Sequence, residues 1–344
     1  MSTNRGENEK GPRYNGSMSS TRFFAEKGIR ELPEYGEIAQ RHPSLEWIDD
    51  YQTFHRETLR REKDCVIFAR KRGNWLKPFH CYQNGRYTYF SLDLAEGCLF
   101  DCAYCYLQSY LNHGALVLFV DCGGVKAEME RRTESNLWIS TGLLSDSLLA
   151  ERYFPAVSRI SGMIPPGSVL ELRSKSDDVA ILTDDRIDRG TAVLSWSLNP
   201  QRIARDYEYR AASLERRLEA ARRAVQLGFR IGFHFDPVFH FEGWQQEYST
   251  LFDSLREFSP DRVAFLSLGL FRYMPELGAV IRKRFPSHRL MTGELIVDAD
   301  GKYQYFRPIR REMYRVFAEL FQPWKKAAVP ILYSMEPDPR LTSQ

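Results

Sequence analysis

Cys98, Cys102 and Cys105 lie within the run Gly97-Cys98-Leu99-Phe100-Asp101-Cys102-Ala103-Tyr104-Cys105-Tyr106, the densest group of reactive side chains in the sequence. Cys65, Cys81 and Cys122 stand apart from it. A structural zinc site closes with four ligands, and this run offers three with no second pair of suitable spacing downstream. Disulfides rarely cluster in this way, whereas metal and cluster ligands do. A [4Fe-4S] cluster accepts three thiolates, because its fourth iron can be left open for a small ligand. An open iron of this kind can chelate the amino and carboxylate groups of S-adenosylmethionine (SAM). The reduced cluster then cleaves the sulfonium to a 5′-deoxyadenosyl radical.

The elements that must position this run read as an alternation. Short strand-like segments occur at YTYFSLD (87–93), ALVLFVD (115–121), NLWISTG (136–142), SVLELRSK (168–175), AVLSWSLN (192–199), FRIGFHFD (229–236) and VAFLSLG (263–269), with helical patterns between them. Ser213 can cap a helix in which Leu214, Leu218, Ala221 and Val225 recur at helical spacing, and Gly228 suits its stop. The alternation predicts βα units and a parallel sheet or barrel, with the cysteine run directly after its first strand.

Three of these strands carry a polar face: Glu171, Arg173 and Lys175; Ser195, Ser197 and Asn199; Gly232, His234 and Asp236. That pattern predicts a wet, ligand-bearing lumen instead of one filled with Val, Ile and Leu. An antiparallel sheet with one solvated face is the alternative, and the helices between the strands argue against it. His234, Asp236 and His240 cluster at the end of one strand, without spacing that supports a second metal site.

The expected organisation is a mobile tail over 1–21, a mainly helical or irregular N-terminal extension over 22–80, the barrel over 81–275 and a C-terminal substrate region over 276–344. In the last, Asp300-Gly301 supplies a hairpin turn between LIVDA and KYQYF, followed by a helix around 308–322 and a short strand near PILYSM.

The 344 residues are 43% hydrophobic and 27% charged, which excludes a wholly disordered chain. No stretch approaches the roughly 18 apolar residues of a membrane span, and the polar start lacks the apolar run of a signal peptide. The expectation is a cytoplasmic protein without a membrane partner, in the host cytoplasm if phage-encoded. Residues 280–326 hold eleven Lys or Arg against five Asp or Glu in a chain of net charge +3. This local excess permits an anionic partner such as nucleic acid, and equally a solvated helix face.

The run GCLFDCAYCYLQ, the later SLNP, the segment FDPVFHFEGWQQEYSTLF and the hairpin with KYQY together resemble the spore photoproduct lyase branch of the radical SAM superfamily, over roughly residues 75–335. The resemblance implies an α/β fold with a partial (βα)6 barrel, SAM in the lumen, and a thymine base in DNA as substrate. It implies Cys98, Cys102 and Cys105 as cluster ligands. Tyr104 and Tyr106 match the tyrosines flanking the last cysteine, the second implicated in hydrogen-atom return; either is also compatible with simple packing on the cluster. Lys175, Ser145, Ser197 and Asn199 fall at positions implied to bind SAM, with Lys175 suited to its carboxylate. An electron donor such as flavodoxin or ferredoxin follows as a partner.

One position departs from the family. The lyase carries a hydrogen-donating cysteine just upstream of a Ser-Asp pair, and here Leu143 stands at that place before Ser145-Asp146. A hydrocarbon side chain cannot return a hydrogen atom to a cleaved dimer. A rearrangement can take its hydrogen back from 5′-deoxyadenosine, so the expected activity is an isomerase step in phage-type thymidine hypermodification. Lyase-like repair of thymine dimers is the alternative, and a non-catalytic iron-sulfur protein that binds nucleic acid is the alternative of another class. Chemistry on a base requires the nucleotide to leave the stack. Arg272, Lys302, Tyr303, Tyr305 and Arg307 are the candidates to meet it with charge and stacking faces, and an ordinary amphipathic hairpin is the competing reading.

Overall fold

A computed structural model describes residues 21–57, 63–79, 86–134, 136–286 and 288–336. The chain opens with β1 (Arg22–Glu26), α1 (Tyr35–Arg41), β2 (Leu45–Ile48), α2 (Tyr51–Glu57) and β3 (Cys65–Ala69). These strands pair in parallel, with Phe23 opposite Leu45 and Val66. The expected helical or irregular extension is therefore corrected to an α/β layer. Its strands RFFAE and CVIFA are short apolar runs whose buried faces need a sheet neighbour, a tertiary requirement that local periodicity does not display.

Next come β4 (Leu76–Pro78), β5 (Thr88–Leu92), β6 (Ala95–Glu96), α3 (Leu107–Tyr110), β7 (Leu116–Phe119), α4 (Gly123–Glu130) and β8 (Leu137–Ser140). The segment ALVLFVD does form a strand, but β7 pairs with β3 and β6 in the first sheet, whose order is β2-β1-β3-β7-β6. After the cysteine run the chain thus leaves the barrel, fills the first sheet, and returns at β8.

From there the alternation is regular: α5 (Ser147–Tyr153), α6 (Ala156–Ile160), β9 (Val169–Ser174), β10 (Ala192–Ser197), α7 (Gln201–Tyr207), α8 (Leu214–Gln226), β11 (Arg230–Val238), α9 (Trp244–Leu255) and β12 (Val263–Leu270). Ser213 caps α8 by accepting from the Arg216 N–H, as its sequence predicts. The second sheet runs β16-β12-β11-β10-β9-β8-β5-β4. Its six central strands are parallel, the partial (βα)6 barrel expected from the sequence.

The remainder comprises β13 (Arg272–Tyr273), α10 (Pro275–Arg284), β14 (Leu295–Val297), β15 (Tyr303–Tyr305), α11 (Arg307–Leu320), α12 (Gln322–Lys326) and β16 (Ile331–Tyr333). β14 and β15 form the predicted hairpin, and β13 adds to it in antiparallel fashion. The C-terminal segment is not a separate layer, because β16 returns to pair with β12.

Layering inside the barrel explains where a site can lie. At the bottom Tyr89, Trp138, Val169, Val193 and Phe265 form an apolar cluster, so the expectation of a wet lumen does not hold for its lowest layer. Trp138 of β8 meets Phe265 of β12 at 5.1 Å between ring centroids, a contact that the curl of the sheet brings about. Above lies a closed polar layer. The Glu171 carboxylate accepts from Trp138 Nε1 at 2.8 Å, Ser195 Oγ at 2.7 Å and His234 Nε2 at 2.6 Å, while His234 Nδ1 meets Ser267 Oγ at 2.5 Å. Burial pushes the Glu171 carboxyl up, but His234, Trp138 and Arg173 outweigh it and hold it at about 2. Burial, reinforced by Arg173, pushes the His234 imidazole below its ordinary value. The arrangement is an anion solvated by three donors, one of them a neutral imidazole. In the layer above, at the C-terminal ends of the strands, Arg173, Lys175 and Asp236 are only half-buried.

Candidate active site

The cysteine run leaves the barrel through a pinned turn. Gly97 has φ +82°, and a Cβ there would lie 1.9 Å from the Ala115 carbonyl oxygen, so no other residue fits. Its N–H donates to the Leu144 carbonyl at 2.8 Å, tying the run to the loop after β8. Asp101 holds φ +54° between Cys98 and Cys102, and Arg284 of α10 grips its carboxylate through two 2.9 Å bonds. Lys63 donates to the Cys98 carbonyl at 3.2 Å.

The inner wall of the run is laced to residues 207–212. Ala103 N–H donates to the Tyr207 carbonyl at 2.8 Å, and Arg210 N–H donates to the Phe100 carbonyl at 3.0 Å. Between them the buried Glu208 accepts from the Tyr104 hydroxyl and pairs with the fully buried Arg217. Asn199 Nδ2 donates to Glu208 at 3.0 Å and to the Tyr104 hydroxyl at 3.1 Å, and Asn199 Oδ1 accepts from Tyr248 at 3.3 Å. Burial would raise the Glu208 carboxyl, but Arg217, Lys175 and the Tyr104 hydroxyl hold it below the ordinary range. Burial and the Glu208 charge keep the Tyr104 phenol well above its usual value.

Asn199, expected to face a ligand, is instead a buried strut that holds Tyr104. Glu208 and Arg217 escape a reading of the sequence alone. Arg217 leaves one trace there, a guanidinium beside Leu214, Leu218 and Ala221 on the face of α8 that is otherwise apolar.

Burial pushes all three thiols up, Cys98 to about 12, and the thiols of the run act on one another electrostatically while Lys175 and Lys63 counter the effect. Thiolate ligation would release protons from such groups. Among the described residues no three metal-type side chains close on a single ion. A cubane cluster asks for something different, three thiolates each on its own iron around one space with one corner open.

Beside this space the Lys175 ammonium lies 5.9 Å from the centre of the Tyr104 ring. Its backbone N–H donates to Asp146 at 2.6 Å, and Asp146 also accepts from Ser174 Oγ at 2.7 Å and caps α5 through the Leu149 N–H. Among the described residues the neighbouring, buried Ser145 Oγ has no hydrogen-bond partner. A buried hydroxyl of this kind is costly unless something pairs with it. An ammonium and an unpaired hydroxyl next to three thiols fit a carboxylate-bearing ligand such as SAM. Ser197 Oγ, the fourth expected contact, accepts from Arg173 Nε at 3.3 Å.

Across the loop after β8, the half-buried Leu143 accepts the Tyr106 hydroxyl on its carbonyl. Tyr106 itself is exposed and meets Tyr110 edge-on. Cys65 and Cys122 lie buried in the first sheet layer, on β3 and at the start of α4, away from this loop. Cys81 lies outside the described residues.

The hairpin sorts its expected contacts into two kinds. Arg272 is spent on the hairpin itself, pairing with Asp298 at 2.6 Å and donating to the Met335 carbonyl. Tyr305 is 1% exposed and its hydroxyl receives the His240 N–H, so it offers no face to a base. The stacking role expected of these two is corrected: both are needed to hold the short antiparallel sheet on the barrel. Lys302 and Tyr303 are half-buried, with Tyr303 stacked on Tyr273 at 5.0 Å, and Arg307 is exposed.

Residues 82–314 match the family model described as spore photoproduct lyase. A spore photoproduct lyase from Clostridium acetobutylicum is 26% identical over 211 residues, which is 58% of this chain and 62% of that protein, under two thirds of its length. Among solved structures, a spore photoproduct lyase complexed with dinucleoside spore photoproduct is similar with a TM-score of 0.79 at 18% identity, covering 91% of this chain and 98% of that one. A mutant spore photoproduct lyase with bound AdoMet and dinucleoside spore photoproduct gives 0.77 at 19%, over 90% and 97%. At these identities the structures establish a shared fold, the partial radical SAM barrel.

Proposed function

The chain belongs to the spore photoproduct lyase family, and from that premise we propose that it is a radical SAM enzyme acting on a thymine-derived base in DNA, with rearrangement as its reaction. The observation that carries the reading is the placement of three thiols beside Lys175 and the unpartnered Ser145 hydroxyl, facing a loop in which Leu143 replaces a hydrogen donor.

Cys98, Cys102 and Cys105 would hold the [4Fe-4S] cluster, with a flavodoxin or ferredoxin as its electron source, and Lys175, Ser145 and Ser197 would hold SAM. When bound, the pair would supply hydrogen-atom abstraction from the substrate through a 5′-deoxyadenosyl radical, with return from 5′-deoxyadenosine in a rearrangement. Tyr104, held by Glu208 and Asn199, orients the run between Cys102 and Cys105. Tyr106 presents an exposed ring next to Leu143, where it can pack on the substrate. Leu143 contributes an inert wall that neither donates nor traps a hydrogen atom.

The relatives' names favour a second reading, repair of a thymine dimer. One labelling experiment separates the two. With protein reconstituted anaerobically and given dithionite, SAM deuterated at its 5′ carbon and DNA containing the substrate base, rearrangement places deuterium in the product and solvent deuterium does not enter. Solvent label in a cleaved dimer would instead mean that a thiol donates. Release of no 5′-deoxyadenosine by cluster-loaded protein would end both readings and leave a non-catalytic iron-sulfur protein.

A further inference from the structure

The basic stretch 280–326 has no part in the site described so far, yet the fold brings its first residues against the cysteine run. Arg282, Lys283 and Arg284 form the last turn of α10, and Arg289 follows it. Arg284 reaches inward, clasping Asp101 between Cys98 and Cys102 and donating to Gln108 of α3. Lys63 donates to the Cys98 carbonyl and lies 3.8 Å from Asp101. It is within electrostatic reach of the Cys98 and Cys105 thiols, which are half-buried where Cys102 is buried. Lys63 and Arg284 line one groove of about 270 Å³, together with Leu111, Asn112, Glu276 and Val280.

The end of α10 also packs on the strip that holds the run. Phe285 meets Tyr209 at 5.4 Å and His288 meets Tyr207 at 3.9 Å between ring centroids, and the Tyr207 carbonyl is the one that accepts from Ala103. Arg282, Lys283 and Arg289 are exposed, and among the described residues none of the three makes an ion pair. The carboxylates close to them are already matched: Asp101 by Arg284 and Lys63, Asp206 by Arg205, and Asp64 by Arg210. Glu276 is the carboxylate that lines the groove itself. A positive surface therefore adjoins the run, and such a surface draws in an anionic partner.

In the reading above three things must reach the run: SAM beside Lys175 and Ser145, the base at the loop of Leu143, and a source of electrons. The groove shares no lining residue with the first two places. Encounters that pass an electron are small in area and are guided by complementary charge, which suits a basic rim around a modest groove. We propose that the basic end of α10 and the groove between Lys63 and Arg284 form the docking face for a protein electron carrier with an acidic surface. The carrier gives one electron to the cluster that Cys98, Cys102 and Cys105 would hold; no bond is made or broken and no proton moves. This inference rests on the radical SAM reading and names where its reductant binds.

The test uses the full chain reconstituted anaerobically, an acidic flavodoxin, and the double variant Lys283→Glu/Arg289→Glu, whose altered side chains lie outside the groove lining and the cysteine run. Fluorescence anisotropy of labelled, oxidised flavodoxin gives the Kd, and stopped-flow bleaching of the cluster gives the rate of reduction by reduced flavodoxin or by dithionite. At low salt the charge reversal should raise the Kd ~10-fold and slow reduction by flavodoxin to a similar degree. Added salt should shrink the difference. Dithionite, which needs no docking face, should bleach both proteins at the same rate. Equal flavodoxin affinity in the wild type and the variant overturns the proposal, and so does an equal slowing with dithionite. If the reversal spares flavodoxin and weakens binding of a labelled single-stranded oligonucleotide, the face belongs to DNA and the proposal is overturned as well. Release of 5′-deoxyadenosine by the wild type given dithionite and SAM is read separately. If it occurs in a protein whose flavodoxin binding ignores the reversal, the docking face alone falls, and if it is absent, the radical SAM reading falls first.

Discussion

The floor and the mouth of the lumen are built from the same strands and the same residue types, yet they differ in how completely their polar groups are paired. At the floor, Glu171 receives three donors at 2.6–2.8 Å and His234 is bonded through both ring nitrogens. At the mouth, Ser145 Oγ has no hydrogen-bond partner among the described residues, and Lys175 stands over a tyrosine ring. A buried polar network that is fully satisfied rigidifies a fold, whereas one left open is poised for a ligand. Polarity on a strand face therefore marks the lumen, and the degree of pairing marks the site within it.

The sharpest way to break this contrast is at the thiols. Cys98→Ala, Cys102→Ala and Cys105→Ala should each abolish bound iron and SAM cleavage, because two thiolates in that run cannot retain the cluster. Cys65→Ala and Cys122→Ala, buried in the other layer, should leave iron unchanged. Iron analysis after anaerobic reconstitution reads both, and iron lost from either of the latter pair would refute the three-ligand assignment.

A floor substitution should act on stability. Glu171→Leu strands the donors of His234, Ser195 and Trp138 in a buried site, at a cost of about 3 kcal/mol or more. The urea midpoint of the apoprotein should fall accordingly; an unchanged midpoint would mean that the floor is not a structural network. At the mouth, Lys175→Ala should move the urea midpoint little. It should raise the SAM concentration required for half-maximal cleavage ~10-fold with iron content intact, the scale of one lost charge-assisted contact. A SAM requirement equal to the wild type would return this lysine to a structural role.

The smallest effect lies in the pH dependence of the floor. His234 is depressed in the folded state, so the unfolded chain takes up its proton first and stability drops as pH falls below the ordinary histidine value of about 6.5. Glu171 is held at about 2, so its contribution is present above the usual glutamate range near 4.5 and is lost as pH falls toward 2. Both slopes have the same sign. In His234→Gln the first slope should disappear and the second weaken, because His234 is one of the groups that hold the Glu171 carboxyl down, as read by urea midpoints between pH 7 and pH 3. A slope between pH 7 and 5 that is unaltered by the substitution would place the acid sensitivity elsewhere.

The cysteine run, the alternation of strands and helices and the hairpin turn were all determined by the sequence, because each depends on residue type at short spacing. Cys98, Cys102 and Cys105 need only one loop, Ser213 caps its own helix, and Asp300-Gly301 turns its own hairpin. The tertiary structure decided what depends on partners distant in the chain. It placed ALVLFVD in the first sheet, because a strand buried on both faces carries no mark of which sheet it joins. It withdrew Tyr305 and Arg272 from the substrate list and turned Asn199 inward to Tyr104. It also brought Glu208 against Tyr104 across 104 residues and His234 against Glu171 across 63. A polar residue on a strand face looks the same in sequence whether its partner is a buried histidine or a ligand, and only folding decides which one it meets.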